Sequence, residues 1–192
     1  MVGAAVAGLA MMTLAACSNT ETGQASASAA GATGSGSPAI SLPSRPKDIP
    51  LNGVDPCALL TAAQRSQFGI NGGKETIVGH GETGKACGYN FTAIGSGTGG
   101  YDISTITSPG IEHWLNPNLI AKVKQVAVAG FPAVDITNEG EATGCGTAIS
   151  VADGQMLMVD NGVVAQGMTS AQSCAKTNAV AEAAMATLQT LK

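Results

Sequence analysis

The chain reads as an α+β protein: one domain in which an antiparallel sheet is joined by a short N-terminal helical segment and a long C-terminal helix. Three observations predict it. Short segments of alternating polar and apolar side chains follow one another between residues 74 and 160, separated by turn-forming residues. The alanine-rich C-terminal stretch carries apolar residues at helical spacing. Four of the five cysteines fall within this domain, an even number that suits two disulfides in an oxidising compartment.

The first element precedes the domain. An apolar run from Val2 closes with Leu14-Ala15-Ala16-Cys17, and polar Ser18-Asn19-Thr20 follows at once. The run is too short to span a bilayer, which takes about 20 apolar residues. Its Ala/Gly/Met content and abrupt end fit the apolar region of a signal peptide. The four closing residues form a lipobox, so residues 1–16 are expected to be removed and Cys17 to carry the lipid. No Lys or Arg precedes the run, so either the start amine alone serves or, as is favoured, a basic segment lies upstream of Met1. Two or more acyl chains on Cys17 would hold the protein at the membrane, since each buried methylene contributes about 0.8 kcal/mol. Residues 17–51 are dominated by Ser, Ala, Gly and Pro, too polar to offset ordering entropy. They read as a disordered tether, spanning on the order of 30 Å as a coil and about 110 Å when stretched.

The domain itself is read as residues 52–192. Asp55-Pro56-Cys57 supplies an N-cap and a proline at the first helical position. Thr61 and Gln64 form a capping box for a short helix ending near Phe68-Gly69. Strands are expected over 74–79 and 86–94; in the second, Cys87, Tyr89 and Phe91 share one face and Gly88, Asn90 and Thr92 the other. The glycine-rich stretch 95–100 reads as a hairpin turn into a strand at 101–107. After an irregular segment, strands resume at 124–129, 133–137, 144–151 and 155–160. Met156, Leu157, Met158 and Val159 are apolar on both faces, which predicts a central strand. The final helix runs from Ser170 or Ser173 to Leu191, with Val180, Ala184, Leu188 and Leu191 on one stripe.

The domain cysteines are Cys57, Cys87, Cys145 and Cys174. A zinc site would show close pairs such as C-x₂-C, and none occurs, so disulfides are expected. Three connectivities exist for four cysteines. The sequential one would staple each helical segment to the sheet, closing loops worth roughly 3 to 4 kcal/mol each in the chain-entropy model.

Asp55-Pro56-Cys57-x-Leu59-Leu60-Thr61, then Cys87-Gly88-Tyr89, then Gly130-Phe131-Pro132-Ala133-Val134, Cys145 and Cys174 before an alanine-rich helix resemble the actinobacterial lipoprotein family DUF3558. The resemblance covers residues 52–192, and the lipobox and spacer fit it. Tyr89 stands where the family often has Trp, an aromatic of similar packing role. The resemblance implies an envelope lipoprotein with no established biochemical activity.

Of three apparent motifs, two lose on context. Residues 79–86 approach the phosphate loop G-x-x-x-x-G-K-[ST], but Ala86 takes the metal-binding hydroxyl's place and a strand follows. Residues 95–100 match G-x-G-x-x-G formally, yet precede a strand rather than opening a helix, and Ser96 lacks a nucleophile elbow's setting. Glu112, His113 and Trp114 could contact a ligand from one loop, but Trp114 is better suited to cover the sheet's core.

Net charge is −4 with 11% charged residues and no basic stripe, so nucleic acid is not expected as a partner. No cofactor and no metal site is expected, and no catalytic constellation emerges. The resulting expectation is a lipid-anchored protein on the extracytoplasmic face of the cell membrane, palmitate-bearing, that binds a lipid, a small molecule or an envelope protein without catalysis. The alternative is an envelope hydrolase drawing on Glu112, His113 or Asp102.

Overall fold

A computed structural model describes residues 41–79, 81–92, 99–138, 144–161 and 168–192. Seven strands form one antiparallel sheet: β1 (Lys74–Thr76), β2 (Thr83–Asn90), β3 (Gly100–Ser108), β4 (Ala121–Val128), β5 (Phe131–Asn138), β6 (Cys145–Ala152) and β7 (Gln155–Asn161). Their order across the sheet is β1-β2-β3-β7-β6-β5-β4, which places β7 in the middle, as its two apolar faces require. The helical segments are a 3-10 turn at Pro56–Ala58, α1 (Ala62–Phe68) and α2 (Ser170–Leu191). The α+β class, the short N-terminal and long C-terminal helices, and the disulfides Cys57–Cys87 and Cys145–Cys174 all stand as the sequence predicts.

Local chemistry explains the boundaries. Asp55 accepts from the Cys57 amide, and Pro56 begins the turn, where a missing N–H costs nothing. Thr61 and Gln64 cap α1 reciprocally, and Gly69 ends it with φ +63°, a conformation glycine adopts without strain. Thr169 and Gln172 cap α2 in the same way. The β4–β5 turn puts both Ala129 and Gly130 at positive φ, the geometry a two-residue hairpin needs, and Glu182 of α2 accepts from the Ala129 amide at 2.9 Å.

One face of the sheet carries Cys87, Tyr89, Ile103, Leu157, Val159, Ile149 and Phe131; α2 and the Pro56–Ala58 turn cover it, with Phe68 of α1 packed at its margin. Val180, Ala184 and Leu188 bury the α2 stripe there, but Leu191, the last residue of the helix, is 54% exposed. Gln64 of α1 donates to the Ala183 carbonyl of α2 at 3.1 Å. The Tyr89 hydroxyl donates toward the carbonyls of Pro56 and Cys57, at 3.3 and 3.1 Å, beside the first disulfide. The other face gathers Ile106, Val134, Ile136, Ala148, Met156 and Met158 under Leu42, Trp114 and Leu115.

Residues 41–51, read from composition as the end of the tether, pack on the domain. The Ile49 amide donates to the Val151 carbonyl at 2.7 Å, and Ile49 and Leu51 are each 1% exposed. Arg45 donates to Ser150 Oγ and pairs with Asp48 and Asp153. Three large apolar side chains in a proline-rich stretch, Leu42, Ile49 and Leu51, were enough to dock it. The expected lipobox, Cys17 and the tether up to residue 40 lie outside the described residues, as do His80 and residues 95–98 of the glycine-rich turn. No described helix is long and apolar enough to cross a membrane.

Candidate functional site

Beside the N-terminal half of α2, edge strand β4 and strand β5 leave a cleft of about 390 Å³. Strand alternation points Lys122, Lys124 and Val126 into it from β4, and Asp135 and Thr137 from β5. Helical spacing of four adds Ser170, Cys174 and Asn178 along one side of α2. The wall is thus two ammonium groups, an amide, two hydroxyls and one end of a disulfide.

Asp135 forms the floor and is 5% exposed. Its carboxylate accepts from Asn178 Nδ2 at 3.3 Å and from Thr147 Oγ1 at 3.3 Å. Thr147 has a single hydroxyl proton, and the Asn178 carbonyl oxygen competes for it at the shorter distance of 2.9 Å. Burial therefore raises the pKa of Asp135, opposed by these two weak bonds and by Lys124 directly across on β4. The Asp135 carboxylate and the sulfurs of Cys145 and Cys174 lie within 4.8 Å of one another. Both sulfurs are committed to the S–S bond, so this trio offers a metal one oxygen ligand rather than three donors.

A second polar group lies on the opposite face. Asp102 of β3 and Asp160 of β7 are directly paired across strands, with Gly88 beyond one and Gly146 beyond the other. The glycines make room: a Cβ on Gly146 would meet Asp160 Oδ1 at 2.5 Å, and one on Gly88 would meet Asp102 Oδ1 at 3.0 Å. Thr76 Oγ1 donates to Asp102 at 3.3 Å. Burial, the Asp102 carboxylate and Glu82 together push Asp160 up to about 7. Near neutral pH Asp160 therefore titrates, across the strands from Asp102. Asp102 also edges a shallow depression of about 370 Å³ with Lys74, Thr76 and Asn90.

The residues singled out from sequence as ligand contacts sit elsewhere. Glu112 and His113 are exposed on a 3-10 turn, Ile111–His113, and line neither depression. Glu112 accepts from the Gly110 amide at 3.0 Å, a local turn contact. His113 meets the Trp114 ring edge-on at 5.1 Å. Trp114 is half-buried against the second apolar cluster, with a buried indole N–H that has no partner among the described residues. The cleft residues Lys124, Asp135 and Asn178 escaped the sequence reading. A charge at Asp135, in phase with core positions Phe131 and Ala133, was the available signal.

A family model described as "Protein of unknown function (DUF3558)" matches residues 12–187. No curated protein and no solved structure matches the chain.

Proposed function

The chain belongs to the DUF3558 family of proteins of unknown function, and for this member we propose a lipid-anchored lipoprotein on the extracytoplasmic face of an actinobacterial cell membrane, acting as a non-catalytic binding or accessory protein of the envelope. The observation that carries the binding role is the cleft beside α2. It has the volume of a small-molecule site, is open to solvent, and presents Lys122, Lys124, Thr137 and Asn178 around an apolar wall of Val126, Ala171 and Ala175. The anchoring rests on Leu14-Ala15-Ala16-Cys17, which falls inside the span matched by the family model. Two formed disulfides suit an oxidising compartment.

The test has two parts. Cells expressing the full chain are grown with labelled palmitate; the label should follow the wild type to the membrane and vanish in Cys17→Ser. Mass spectrometry of the gently extracted protein should then find a small molecule or lipid whose occupancy drops in Lys124→Glu. An unlabelled wild type overturns the anchor, and occupancy unchanged by Lys124→Glu overturns the cleft.

A further inference from the structure

We infer that the cleft captures a small acidic thiol as a mixed disulfide on Cys174, an inference that rests on the cleft being the ligand site. Cys174 lines the cleft and is partly exposed, whereas its partner Cys145 is 3% exposed. An incoming thiolate therefore reaches one sulfur and expels the other into the interior. The interior sulfur has a carboxyl within 4.8 Å, that of Asp135. Among the described residues, Cys145–Cys174 is the one disulfide with a carboxyl that close to both sulfurs.

Asp135 is costly as a structural residue. It is a buried acid with two long neutral hydrogen bonds, one of them shared, and Lys124 opposite is exposed. It makes chemical sense as a proton donor to a leaving sulfur. Lys122 and Lys124 on the same wall favour a ligand that carries carboxylates.

The step balances without a further reagent. The ligand thiolate attacks Cys174 Sγ and forms a ligand–Cys174 disulfide. The Cys145–Cys174 bond breaks, and its electron pair goes to Cys145 Sγ. That sulfur takes the proton that the Asp135 carboxyl carries in its protonated form, through at most one intervening water. The negative charge carried in on the ligand ends on Asp135, facing Lys124 of β4, Asn178 of α2 and Thr147 of β6. The reverse sequence releases the thiol and restores the disulfide.

Reduced glutathione, a small thiol with two carboxylates, is the probe for the full oxidised chain. Peptide mapping after acid quench should place one glutathione on Cys174, leave Cys145 open to alkylation, and find Cys57–Cys87 intact. Capture should be at least about tenfold slower in Asp135→Asn at the acidic end of a pH series, with the wild-type to variant ratio falling toward one as pH rises and Asp135 ionises. The ratio cancels the ionisation of glutathione itself. If Asp135→Asn does not fold, Asn178→Ala serves. It removes a bond that favours the ionised carboxyl, so capture should persist to higher pH. Equal attack on both disulfides, or a ratio that ignores pH, overturns the inference. S-methylglutathione separates the two readings. Amide shifts at Lys124 and Asn178 without any glutathione adduct would keep the cleft and sink the capture; neither shifts nor adduct would sink both.

Discussion

Replacing Asp160 by Asn should stabilise this protein, and by an amount that depends on pH. The carboxyl sits at the sheet surface opposite Asp102, with burial, Asp102 and Glu82 all favouring its protonated form. Its pKa is raised from 3.8 unfolded to about 7 folded. Below pH 4 both states hold the proton and the site is neutral in cost. Between about pH 4 and pH 7 the unfolded chain gives up a proton that the folded chain keeps, so stability falls as pH rises; above about pH 7 the loss is complete and constant. At about 1.36 kcal/mol per pH unit the span sets a ceiling of about 4 kcal/mol. Water reaching a partly exposed side chain raises the local dielectric and brings the expectation to about 2 kcal/mol. Asn has the same shape, keeps the packing against Gly146, and carries no charge at any of these pH values. Urea denaturation followed by far-UV circular dichroism should show the variant gaining about 1 M in midpoint at pH 8, with unchanged slope, and almost nothing at pH 4.5. A variant equally shifted at both pH values, or less stable than wild type at pH 8, would refute the assignment of charge burial to Asp160.

Gly146→Ala should lose about 1 to 3 kcal/mol, because its Cβ would stand 2.5 Å from Asp160 Oδ1 and 3.2 Å from Met158 Cε; adding Asp160→Ala should return part of that loss, and thermal melts of the single and double variants measure it. Ile49→Ala should cost about 2 to 4 kcal/mol, the price of a cavity in a residue 1% exposed, whereas a tether residue would lose nothing by the same denaturation measurement. Replacing Cys57 and Cys87 together by Ser opens a disulfide of sequence separation 30 and should cost roughly 3 to 4 kcal/mol in the calorimeter, with the fold retained.

The sequence announced most of the frame and little of the chemistry. Capping residues Thr61 and Gln64, the Asp55-Pro56 start and the phase of Cys87, Tyr89 and Phe91 are local signals, and each element formed where its signal stands. Strand ends shifted by a few residues, as at β2, which begins at Thr83 rather than 86, because pairing with β3 extends the ladder over weakly patterned residues. The Asp102–Asp160 pair was invisible because β3 and β7 are neighbours only through a crossover that skips three strands. Asp135, Asn178 and Cys174 likewise meet only when α2 folds back over the far edge of the sheet. Residues 41–51 misled by composition: their prolines and serines outnumber the apolar side chains, but Ile49 and Leu51 alternate inward beside β6.

That docked segment also decides how the domain responds to being pulled. A force applied to the chain ahead of Ser41 enters through Gln125, whose amide holds the Ser41 carbonyl at 2.7 Å, then through Arg45 and its partners Ser150 and Asp153, and only then through the Ile49–Val151 bond. Weak polar contacts would part in series, lengthening the leash residue by residue, before the ladder of β6 and β7 has to open. All four disulfide cysteines lie C-terminal to the docked segment, so extension would halt at a stitched core.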